Sequence, residues 1–271
     1  MRRTKPMKTI VFSDVDGTLL TDDKRVRPAT RAAVRALGRR GIPFVIVSGR
    51  SLAGIQTVMR DLGISCPVIA YSGAILYDEA GNELENHGFS KDLARRIVDF
   101  VESRGFDLIW GIYSHDRWLV RDVDHPRVKR EEKIIGVRAQ RGGVDDVEAN
   151  DVSKILLTCA ESQTAAVDRA VREAFPECSV ARSSPILVEI MARNVDKADA
   201  VAAMCARLGF DLKDAVAFGD NYNDEQMLLR VGRGYLMGNA PEELLARMRL
   251  HTDDNAHDGV ANALTRLGLI D

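Results

Sequence analysis

The chain has 271 residues, enough for one large or two medium domains, and 45% hydrophobic with 29% charged residues is the balance of a soluble globular protein. A net charge of -2 supplies no global field toward nucleic acid or a membrane surface, and no apolar run approaches the ~20 residues of a membrane span. The cysteines, Cys66, Cys159, Cys178 and Cys205, form no C-x-x-C pair, which argues against a zinc framework or a disulfide scaffold and fits a reducing cytoplasm.

The first six residues are basic, lack the apolar stretch of a signal peptide and read as a loose extension ahead of Met7. Thr9 to Phe12 is a short β-branched apolar run, the pattern of a strand buried on both faces. It leads into Asp14 and Asp16, and Gly17 then lets the chain turn away. Pro28 opens a helix with Ala33, Val34 and Leu37 on its apolar face, closed by Gly41. Ile42 to Val47 is a second buried strand, ending in Ser48-Gly49-Arg50. A helix over Leu52 to Leu62 and a strand over Val68 to Tyr71 follow. This alternation is that of a doubly wound α/β sheet.

From Asp78 to Glu83 the residues read as a hairpin turn and linker, and the rhythm changes. Leu93, Ile97, Phe100 and Val101 share a helix face, as do Ala166, Val167, Ala170, Val171 and Ala174. Asp107 to Tyr113, Arg117 to Val120, Ser153 to Cys159 and Ile186 to Met191 read as strands. These make a small α+β domain over residues 83–189, inserted into a core of residues 1–82 and 190–271. Linkers are expected near Asn82 and near Ala192-Arg193-Asn194. Within the insertion, His115 and His125 flank Trp118 without a third metal ligand. The run Lys129-Arg130-Glu131-Glu132-Lys133, with Arg138 and Arg141, reads as a solvated face. The α/β rhythm then returns with a helix over Lys197 to Leu208 and a strand over Ala215 to Phe218. That strand ends in Gly219-Asp220-Asn221-Tyr222-Asn223-Asp224, before a helix through Met227 and Leu228. A short strand from Gly234 to Met237 and helices from Pro241 and Gly259 complete the chain.

In an open parallel sheet, ligands bind at the carboxyl ends of the strands. That rim gathers Asp14, Asp16, Ser48, Asp220, Asn223, Asp224 and, on a helix start, Lys197. Two carboxylates spaced i, i+2 repel each other. Either a hard dication neutralises them, or one holds a proton and acts as an acid while the other attacks. Four carboxylates with no cysteine or histidine select Mg²⁺, and a hydroxyl, a lysine and helix N-termini beside it make an anion site for phosphate. Taken singly, Asp220-Asn221 is a helix cap, Lys197 a solvated lysine and Ser48-Gly49 a plain turn; taken together they make a catalytic set.

Asp14-Val15-Asp16-Gly17-Thr18-Leu19, Ser48-Gly49-Arg50, Lys197 and Gly219-Asp220-Asn221-Tyr222-Asn223-Asp224 resemble, in order, the four motifs of the haloacid-dehalogenase-like (HAD) phosphatases. Met237-Gly238-Asn239-Ala240 and Asp258-Gly259-Val260-Ala261 resemble its Cof-type branch, and the insertion resembles a C2-type cap. The resemblance covers nearly the whole chain and implies a Rossmann-like core. It implies Asp14 as nucleophile and Asp16 as acid and base. Mg²⁺ would be held by Asp14, the Asp16 carbonyl and Asp220, with Asp224 supporting. The phosphoryl group would be bound by Ser48, Gly49, Lys197 and Asn223. It further implies a small phosphorylated metabolite as substrate, with no nucleic acid or membrane partner. Ser72 and Ala198 depart from the branch, which usually has asparagine and glycine there; Arg50 is a further candidate for substrate contact. A phosphomutase sharing the aspartyl-phosphate is the alternative enzyme. A non-turnover phosphoacceptor domain is the alternative outside enzymes, although that class places its acid pair and phosphoacceptor on different strands in about half this length.

Overall fold

The computed structural model describes residues 8–147, 152–193 and 195–271. The expected N-terminal extension, with Met7, and the linker residue Asn194 lie outside them. The opening apolar run forms β1 (Ile10–Ser13), followed by α1 (Pro28–Arg39), β2 (Phe44–Val47), α2 (Leu52–Leu62), β3 (Val68–Ala70), β4 (Ile75–Tyr77) and β5 (Glu83–Asn86). The inserted region contributes α3 (Lys91–Ser103), β6 (Leu108–Ser114), β7 (Arg117–Val120), α4 (Pro126–Ile135), β8 (Gln140–Arg141), β9 (Lys154–Cys159), α5 (Thr164–Ala174), β10 (Cys178–Ser184) and β11 (Leu187–Ala192). The chain then returns through α6 (Lys197–Leu208), β12 (Ala215–Gly219), α7 (Glu225–Arg230), β13 (Arg233–Leu236), α8 (Glu242–Arg247) and α9 (Gly259–Arg266).

The core sheet has the order β13-β12-β1-β2-β3-β4-β5, parallel from β13 to β3 and antiparallel beyond it. Alternation along β1 sends Val11 to one face and Ile10 and Phe12 to the other. Val11 packs with α1, α2 and α9 through Leu37, Ile55 and Leu264. Ile10 and Phe12 pack with α6, α7 and α8 through Val201, Met227 and Leu244. Helices on both faces make the sheet doubly wound, as the apolar runs predict.

The insertion forms a second sheet, β10-β11-β9-β6-β7-β8, with α3 and α5 on its outer face. Tyr113, Trp118, Leu156 and Met191 line its inner face and join the core cluster around Tyr71.

The structure differs from the sequence expectations at Asn82, at the end of β11, at β10 and along α4. Asn82 is no linker: it closes a turn against Asp78, and β5 continues the core sheet. The expected junction at 82/83 falls just before β5, and that at 189/190 falls within β11. Turn residues at 78–82 mask the start of β5 in the sequence, and β11 runs on to Ala192 in the cap sheet. Strand β10 has mixed burial without clean alternation and was not expected. The charged run around Glu131 is the helix α4, and Glu131 and Glu132 on it are buried. Arg138 and Arg141 are exposed, as expected. His125 caps α4 by accepting a hydrogen bond from the backbone N–H of Arg127 at 3.1 Å.

Candidate active site

Because β1, β2 and β12 are adjacent and parallel, their carboxyl ends meet on one edge. β1 delivers Asp14 and Asp16, β2 delivers Ser48, and β12 delivers Asp220. Lys197 is the first residue of α6, which Asp196 caps by accepting from the Asp199 N–H at 2.8 Å. Asp224 sits at the start of α7, where its Oδ2 accepts from the backbone N–H groups of Asp220 and Asn221 at 3.0 and 3.1 Å.

Lys197 is fully buried and bridges two of these elements. Its Nζ donates to Asp14 Oδ1 at 2.6 Å and to Asp224 Oδ1 at 2.7 Å. Burial opposes its charge, but the two carboxylates outweigh that and raise its pKa. Asp14, Asp220 and Asp224 offer carboxylate oxygens within 4.8 Å of one another. Burial, opposed by Lys197 and aided by Asp224, pushes Asp14 up to about 7. Burial, with the Asp14 and Asp224 carboxylates, pushes Asp220 up to about 8. With all three carboxylates ionised against one ammonium, two negative charges would share this space, which is why Asp14 and Asp220 are pushed up. An all-oxygen donor set with that deficit suits a hard divalent cation.

Gly17 is required by the same crowding. It has φ +83, and a Cβ there would lie 2.3 Å from Asp220 Oδ2. Thr18, to which the motif alone assigns no role, donates from Oγ1 to Asp220 Oδ1 at 3.0 Å. Asn239 braces the turn from the next strand end, its Nδ2 donating to the Gly17 carbonyl at 2.9 Å.

Asp16 points elsewhere. Arg50 donates to it from Nε and Nη2 at 2.7 and 2.6 Å, and Lys24 from Nζ at 2.9 Å. Burial would raise its pKa, but these cations hold it down at about 2. Asp14, Asp16, Ser48, Gly49, Asp220 and Asn223 all line one cavity of about 470 Å³ between core and cap. Lys197 and Asp224 lie behind its wall rather than on it.

The cap closes that cavity through Lys154 of β9, whose Nζ donates to the Gly49 carbonyl at 2.7 Å and lies 3.4 Å from Glu189 of β11. Glu189 in turn accepts from Ser72 Oγ at 3.2 Å. Ser72 has φ 57 and ψ 22, a left-handed conformation that asparagine tolerates better than serine. Its departure from the resemblance thus falls on backbone conformation and on a cap contact. Ala198 faces the core beside Val201 and does not line the cavity.

Residues 11–264 match the family of haloacid dehalogenase-like hydrolases. The chain belongs to that family. A Haemophilus influenzae protein, named provisionally as a phosphatase, is 30% identical to this hydrolase over 94% of the chain and 96% of its own length. The Bacillus subtilis protein YcsE, named as a 5-amino-6-(5-phospho-D-ribitylamino)uracil phosphatase, is 27% identical over 94% of each chain. Among solved structures, TM0651 from Thermotoga maritima superposes with a TM-score of 0.82 at 26% identity, covering 96% of this hydrolase and 97% of that chain. No helix among the described residues is long and apolar enough to cross a membrane.

Proposed function

We propose that this hydrolase is a Mg²⁺-dependent phosphatase acting on phosphate monoesters of small metabolites through a phosphorylated Asp14. The observation that carries the reading is the buried cluster of Asp14, Asp220 and Asp224 around Lys197, open on one side to the cavity. Asp14, the backbone carbonyl of Asp16 and Asp220 would hold Mg²⁺, with Asp224 supporting. The bound ion supplies positive charge that aligns the phosphoryl group and offsets its developing charge. Asp14 attacks phosphorus while the P–O bond to the leaving group breaks, and Asp16, which takes up a proton from solvent once Arg50 and Lys24 turn from it to the phosphate, gives that oxygen its proton. Asp16 then takes a proton from water as the water attacks the aspartyl-phosphate, releasing phosphate and restoring Asp14. Ser48, the Gly49 backbone and Asn223 hold the transferring group, and Lys197 offsets its charge.

A cavity of about 470 Å³ suits a small metabolite rather than a folded phosphoprotein or nucleic acid. YcsE, named for a phosphorylated ribityl compound, supports the same size class. Four free cysteines support the cytoplasm as the compartment. The test is phosphate release from a panel of phosphorylated metabolites with Mg²⁺ and with a chelator. Release that depends on the metal is expected; full release in the chelator, or none from any ester, overturns the reading.

A further inference from the structure

The cap wall of the cavity holds three buried acidic or basic side chains, Lys154, Glu189 and Glu131. Two of them are satisfied. Lys154 is engaged by the Gly49 carbonyl and Glu189, and its Nζ lies 5.0 Å from the centre of the Tyr113 ring. Glu189 accepts from Ser72. Glu131 differs. Its residue is 9% exposed, it lines the cavity, and among the described residues it has neither a hydrogen-bond donor nor an ion-pair partner. Its neighbour Glu132, equally buried, is held by the Ala139 N–H at 2.9 Å and by Lys129 at 3.3 Å. The carboxylate oxygens of Glu131 are not among the fully enclosed unpaired atoms, so they are open to the cavity and to whatever donor occupies it. Burial, opposed by Lys154 and aided by Glu189, raises the pKa of Glu131, as expected of an acid awaiting a donor.

Helix geometry explains why Glu131 faces inward. Val128 and Ile135, three residues before and four after it, pack into the core cluster, so Glu131 occupies the apolar face of α4.

We infer that Glu131 reads the leaving group: its carboxylate accepts a hydrogen bond from a hydroxyl on the substrate and repels substrates whose leaving group carries a carboxylate. This rests on the phosphatase reading above. A hydroxylated leaving group in the cavity can donate to Glu131. An acidic leaving group would bring a third negative charge to a wall that holds two carboxylates and one ammonium.

The test compares the parent, Glu131→Ala and Glu131→Gln on three esters with Mg²⁺: sorbitol 6-phosphate, phenyl phosphate and phosphoglycolate. Hydrogen bonds to charged groups set the scale at roughly ten- to a hundredfold. Glu131→Ala should lose that factor in kcat/KM on sorbitol 6-phosphate beyond any loss on phenyl phosphate, most of it in KM. Glu131→Gln, which keeps the shape, should raise phosphoglycolate relative to phenyl phosphate at least severalfold. Each comparison is a ratio within one protein, so partial unfolding cancels. Equal losses on sorbitol 6-phosphate and phenyl phosphate, or an unmoved phosphoglycolate ratio, overturn this inference while leaving the phosphatase reading intact. A parent that cleaves none of the three esters sinks both.

Discussion

Arg50 grips Asp16 with two hydrogen bonds, so Asp16 has to lose that partner before it can donate a proton. An incoming phosphate attracts the same guanidinium, which lines the cavity. Arg50→Ala should therefore raise KM by about tenfold or more, since a bidentate charged contact is lost, with a smaller effect on kcat. A change confined to kcat in steady-state assays would argue that Arg50 never meets substrate. Asp14→Asn should remove turnover without unfolding the protein. Turnover above a trace, with an unchanged circular dichroism spectrum, would remove Asp14 as nucleophile. The sequence made the carboxylates, Ser48 and Lys197 legible because each follows a recognisable strand or opens a helix. It left Arg50 weak and Thr18 without a role, because their importance lies in partners 34 and 202 residues away.

Lys154 of β9 makes one of the polar contacts between the inserted sheet and the core, beside those of Tyr71 with His115 and Ser72 with Glu189. Lys154→Met keeps the stem and removes the charge. It would leave the Gly49 carbonyl without its donor and Glu189 buried beside Ser72 alone. Breaking a buried pair of this kind costs about 3 kcal/mol. The expected result is a lower melting temperature, together with faster amide exchange in residues 49–54. Unaltered exchange there would show that the contact does not hold the lid. Helices α3 and α5 were readable from their spacing, since their apolar faces are long. Helix α4 was not: charged residues dominate it, and only Val128, Ile134 and Ile135 mark its inner side. Strand β5 was hidden by its composition, Glu-Leu-Glu-Asn, at an open edge of the core sheet.

The whole molecule carries the acidic cluster as a cost to stability. Asp14, at about 7, and Asp220, at about 8, bind protons in the folded state that unfolded carboxylates near about 4 have released. The folded protein thus holds more protons between these limits, and stability falls as pH rises through them. In a chelator, the melting temperature should drop from pH 6 to pH 9, and added Mg²⁺ should flatten the drop; a level or rising curve in the chelator would contradict this charge arrangement. At the same scale, Cys66 is buried and pushed up to about 12, so a thiol reagent at pH 8 should reach it only after unfolding. The doubly wound core was legible from its apolar runs, but its strand order was not, because no local pattern states that β1 neighbours β12. That pairing sets Ile10 against Ala215 across the cap's whole sequence. A chain emerging from the ribosome therefore presents β1 with one edge open until β12 has been made. The cap, closed largely by antiparallel contacts between nearer segments, can fold in the meantime. Asp14 and Asp220 meet only when β12 docks, so nascent chains stalled before β12 should bind chaperones through that edge and show no hydrolysis.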